Sequence, residues 1–118
     1  MKPFLSYVQR TKSRDDGRPL HAETGFIRVP SPGRVEWVLA HPNGITEIEE
    51  GELSTSGTTI EMELTATTIG LTESAKEVAA LTRSIRVDSD ELRYTVCMAA
   101  MGQPLQHHLR ATLHRAQA

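Results

Sequence analysis

The run TIEMELTA, Thr59 to Ala66, sets Ile60, Met62, Leu64 and Ala66 against Thr59, Glu61, Glu63 and Thr65 in strict alternation. Successive side chains leave a strand on opposite sides, so this pattern predicts a strand with one buried face. Three further runs repeat it. FLSYVQRT sets Phe4, Ser6 and Val8 against Leu5, Tyr7 and Gln9; RVEWVLA puts Val35, Trp37 and Leu39 together; LRYTVCMA does the same with Leu92, Tyr94, Val96 and Met98. ITEIEEGEL adds a strand expected to end at Gly51. SAKEVAALTRSIRV has a first half that would suit a helical turn, but Leu81, Arg83, Ile85 and Val87 alternate, so it reads mainly as strand.

Between these runs lie DDGRP, PSPG, HPNG, TSG and DSD. Gly, Asn and Asp supply the unusual backbone angles of turns and Pro pre-sets φ. Strands therefore recur about every ten residues, and about seven or eight of them in short hairpins predict an all-β antiparallel meander, a barrel or sandwich. With 118 residues and no composition shift, residues 1–118 are expected to form one domain. The interior is expected to be mostly aliphatic, with Trp37 as a core or barrel-lining residue.

Charge is nearly balanced, 13 Lys plus Arg against 15 Asp plus Glu. The basic residues are scattered, so neither a nucleic-acid partner nor a membrane-surface partner is expected. No run is apolar for long enough to span a bilayer, and the N-terminal stretch lacks the features of a secretory signal, so the expected location is cytoplasmic. Cys97 is the single cysteine; it excludes an internal disulfide and a multi-cysteine metal cage, and packing is its expected role.

Few residues carry chemistry on their own. His21–Glu23, HAE, matches the H-x-E of zinc deaminases, but the partner P-C-x-x-C is absent. His41 in AHPNGI reads as a solvent-facing turn histidine, and EIEEGE, Glu47 to Glu52, as a solvated strand face, since the spacing of a calcium loop is missing. The tail PLQHHLRATLHR, Pro104 to Arg115, holds His107, His108 and His114. As a strand it groups His107 with Leu105, Leu109, Ala111 and Leu113; as a helix it groups His108 with Leu105, Leu109, Thr112 and Leu113. Periodicity leaves the choice open.

The stretches KPFLSYVQRT, PLHAETGFIRV, VEWVLAHPNGITEIEEG, AKEVAALTRS and DELRYTVCMAAMGQPLQHHLRATLHR, in this order and spacing, cover nearly the whole chain. Together they resemble the nitrobindins, a family of heme-binding β-barrels. The resemblance implies a ten-stranded antiparallel barrel shaped like the fatty-acid-binding proteins, with heme b in a cleft at its mouth. The family's axial ligand lies in a P-L-x-x-H-L segment, here PLQHHL, which implies His108 as the iron ligand and leaves His107 on a variable position. A bulge or twist near Pro104 to Gln106 is then expected to re-aim the ring. The implied activity is isomerisation of peroxynitrite to nitrate, together with nitric oxide binding, with no catalytic residue beyond the heme iron. Family members carry a GxWxGxG segment ahead of the KPFL run. Its absence before Met1 is expected to reflect a misassigned start, with the natural chain longer; the competing explanation is a shortened, incompletely closed barrel whose last strand has an unpaired edge, at which a homodimer could form. A non-heme carrier of a small hydrophobic ligand is the alternative.

Overall fold

In a computed structural model, which describes residues 3–117, the chain forms eight antiparallel strands. They are β1 (Phe4–Lys12), β2 (Pro19–Arg28), β3 (Arg34–Ala40), β4 (Ile45–Ser56), β5 (Thr59–Leu71), β6 (Val78–Asp88), β7 (Glu91–Ala100) and β8 (Gln106–His114). They pair in chain order, β1 to β8, in one sheet that curls into a half-barrel. Among the described residues each end strand has a single neighbour, so β1 and β8 are the edges of this sheet. Met1, where the family's preceding segment would join, lies outside the described residues.

The alternating runs become strands where expected. Val35, Trp37 and Leu39 of β3 are buried and pack with Leu64 of β5 and Ile85 of β6; a second cluster joins Ile45, Val78, Leu81 and Val96. SAKEVAALTRSIRV contributes β6 with no helical turn assigned. β4 does not stop at Gly51 but runs through it to Ser56. Glycine is needed there because a Cβ would lie 1.7 Å from the Glu63 carbonyl oxygen of β5. Gly25 plays the same part between β2 and β3, its Cβ position being 1.7 Å from Val38 O. Both let neighbouring backbones approach closely where the sheet bends.

The interior departs from the aliphatic expectation. The tight 41–44 turn, closed by His41 N donating to Ile45 O at 2.9 Å, sets the β3–β4 register. Glu47 then stands opposite Leu39 and Glu49 opposite Trp37, both inward positions. Directly opposed residues share a face, so the register turns the two glutamates inward and leaves Ile48 exposed.

Candidate functional site

The strands cradle a hollow of about 250 Å³ on the concave face, toward the end holding the 41–44 turn and the β7–β8 connection. Ile45, Val78, Leu81, Val96, Met98 and Leu109 form its apolar wall. Facing them are His21, Glu23, His41, Glu47 and Arg83, and His108 lines it from β8.

The polar wall is a connected network. Arg83 Nη1 donates to Glu23 Oε2 at 3.0 Å, and Arg83 Nη2 donates to Glu47 Oε1. His41 Nε2 lies 2.9 Å from the same Glu47 oxygen. His21 Nε2 lies 3.0 Å from Glu23 Oε1 and 3.3 Å from His41 Nδ1. Tyr7 OH donates toward Glu23 Oε2 at 3.1 Å, and Gln9 Nε2 donates to Tyr94 OH at 2.7 Å. Beneath the network the Arg83 guanidinium sits 5.1 Å from the Trp37 ring centroid, a cation–π contact.

Burial and neighbours split the two inward glutamates of β4. Burial alone would raise the Glu47 carboxyl, but hydrogen bonding from His41, the neighbouring Glu49 and the Arg83 charge bring it down to about 2. For Glu49, burial and the adjacent Glu47 charge push the carboxyl up to about 9. Neither Glu49 oxygen has a hydrogen-bond partner, so its neutral form is the one the interior tolerates. Burial works against the Arg83 charge, and Glu47 and Glu23 more than offset it. Burial and the Glu23 carboxylate raise the Tyr7 phenol far enough that it serves only as a neutral donor.

Several expectations need correction. EIEEGE is not a solvated face: Glu47 and Glu49 are 1 % and 0 % exposed. His41 is not a solvent-facing turn residue, since its side chain is 9 % exposed and bonded to Glu47. Both were misread because the compensating cation, Arg83, lies far along the chain. HAE carries no deaminase constellation, yet His21, Glu23 and His41 bring one ligand atom each to within 4.8 Å of one another. Trp37 is buried as expected, and Cys97 is half-buried on β7.

The tail resolves through a β-bulge. Leu109 pairs with Val96 and His107 with Cys97, so His108 is the extra residue between them. The irregularity falls at His108 itself, just past the expected Pro104–Gln106. It lets His108 line the hollow together with its neighbour Leu109, which strict alternation forbids. His107 falls on the outer face with Cys97, and His114 pairs with Glu91 at the far end of β8. Among the described residues nothing hydrogen-bonds the His108 ring, and its residue is exposed.

A family model described as a THAP4-like, heme-binding beta-barrel domain matches residues 1–115. Peroxynitrite isomerase 1 of Mycolicibacterium paratuberculosis is 63% identical over 114 residues, covering 97% of this chain and 71% of the relative. Peroxynitrite isomerase of Mycobacterium leprae is 58% identical over 116 residues, covering 98% and 72%. The crystal structure of Rv2717c from M. tuberculosis superposes with a TM-score of 0.95 at 58% identity, covering 98% of this chain and 74% of that one.

Proposed function

From the premise that this chain belongs to the THAP4-like, heme-binding β-barrel family, we propose that it is a heme-dependent peroxynitrite isomerase with His108 as the axial ligand of heme b. The observation that carries this reading is an imidazole displaced by a bulge to line an apolar-walled hollow, with no protein partner on its ring.

The donor chemistry fits the group. A neutral imidazole offers one lone pair to iron, and His108 is exposed and free to do so. Val96, Met98 and Leu109 beside it supply the apolar surface that a porphyrin face requires. His107, on the outer face with Cys97, does not compete with His108 for this role. When bound, ferric heme would supply Lewis-acid chemistry suited to nitric oxide binding and to isomerising peroxynitrite to nitrate, which needs no electron donor. The chain's own part is to hold and orient that centre through His108 and to limit water on its apolar side.

The test is hemin titration followed by stopped-flow decay of peroxynitrite with nitrate quantified. The wild type should develop a Soret band and speed decay, and His108→Ala should do neither. An unchanged spectrum in His108→Ala would remove the assignment.

A second reading, carriage of a small apolar ligand, draws on a neighbouring hollow of about 170 Å³ among Ile27, Trp37, Met62, Ile85 and Leu113. Its lining is almost entirely apolar apart from Arg83, Gln9 and the two tyrosines, which suits a hydrophobic ligand. Lipid in a mass spectrum of the purified protein, with no porphyrin, would favour it.

A further inference from the structure

The histidines that the proposed heme site leaves unused converge on a point of their own. His21, Glu23 and His41 each bring one ligand atom to within 4.8 Å of the others, with His21 Nε2 3.0 Å from Glu23 Oε1 and 3.3 Å from His41 Nδ1. Donors around a tetrahedral zinc ion stand about 3.3 Å apart, given metal–ligand bonds of about 2.0–2.2 Å. Two of the three separations are therefore already close to those of a coordination sphere.

The hydrogen-bond geometry turns the same atoms inward. His41 Nε2 is engaged by Glu47 Oε1 at 2.9 Å, which leaves Nδ1 as the ring atom facing His21 Nε2 at 3.3 Å. Glu23 Oε1 faces the same His21 nitrogen at 3.0 Å. One carboxylate oxygen and two imidazole nitrogens thus converge on one point, where a cation would be held by all three residues.

The surroundings are those of a built metal site. Ligating histidines commonly donate their second N–H to a carboxylate that fixes the ring, and Glu47 does this for His41. Glu47 is held by Arg83, while Glu23 Oε2 is held by Arg83 and Tyr7, leaving Oε1 turned toward the histidines. Glu23 and Glu47 are buried, and His41 nearly so, so the cluster is not a chance grouping of surface side chains.

We propose that His21, Glu23 and His41 form a binding site for a divalent transition metal ion of the zinc type. Two imidazoles and one carboxylate are the donor set of open zinc sites, which keep a fourth position for water or a small anion. All three residues line the same hollow as His108, so that fourth ligand would lie on its side.

The test is calorimetric titration of the whole chain with Zn2+, with Co2+ as a spectroscopic substitute, both without heme. The wild type should bind one equivalent, with the visible bands of four-coordinate Co2+. Glu23→Gln and His41→Ala should abolish binding, and Glu47→Gln should weaken it about 10–100-fold. A double His107→Ala, His114→Ala variant should bind as the wild type does. Failure of the wild type to bind, survival of binding in His41→Ala, or its loss in the double variant would each overturn the site. Circular dichroism without metal separates loss of ligand from loss of fold. If His41→Ala does not fold, His21→Ala decides the matter, since that side chain is 37% exposed and its loss leaves the Arg83–Glu47 pair intact.

Discussion

Arg83 on β6 and Glu23 on β2 meet at 3.0 Å inside the half-barrel, although 60 residues separate them in the chain. The guanidinium also holds Glu47 of β4, so one cation ties three non-adjacent strands together from within. The polar wall of the hollow is organised around it.

Removing that cation should cost more than any surface charge. Arg83→Met would leave Glu23 and Glu47 buried without their partner, a loss expected at about 3–5 kcal/mol. Urea unfolding by circular dichroism measures it. A midpoint within error of the wild type would show that the network does not hold the fold.

The two inward glutamates predict opposite pH dependences. Glu47 is lowered to about 2 from 4.5, so its contribution is present above 4.5 and is lost as pH falls toward 2. Glu49 is raised to about 9 from 4.5, so the unfolded chain releases its proton first, and stability falls as pH climbs from 4.5 through 9. Urea midpoints at acidic, neutral and alkaline pH should decline toward the alkaline side in the wild type and much less in Glu49→Gln. Equal slopes in the two proteins would contradict the buried neutral acid.

The bulge at His108 can be removed directly. Deleting His107 should pair His108 with Cys97 in regular register and turn its ring to the outer face. The expected result is a folded protein by circular dichroism that no longer develops a Soret band with hemin. Retention of the band would mean that the bulge does not aim the ligand.

Gly51→Ala tests the close strand approach. With the Glu63 carbonyl 1.7 Å from the added carbon, β4 or β5 must shift, and a loss of about 1–3 kcal/mol or more is expected in thermal unfolding. A melting temperature equal to that of the wild type would show that the sheet accommodates the methyl group freely.

The strands were legible because alternation is local: Val35, Trp37 and Leu39, or Ile60, Met62 and Leu64, report their shared face within a few residues. Turn chemistry at HPNG and TSG was equally local, and so an antiparallel meander of about seven or eight strands followed from the sequence alone, while the tail stayed open between strand and helix. The histidine of the tail was legible only through the resemblance of PLQHHL in its context, because the bulge that separates His107 from His108 arises in the pairing of β7 with β8.

The charged interior could be decided only by tertiary structure. By local pattern Glu47 and Glu49 belong in water, as does a histidine beside Pro42 in a turn. Register with Leu39 and Trp37 turns the glutamates inward; a single arginine from β6 makes the Glu47 charge tenable, and Glu49 is held neutral beside it. The free energy of a buried charge depends on what stands opposite it across the sheet, and no stretch of neighbouring residues carries that information.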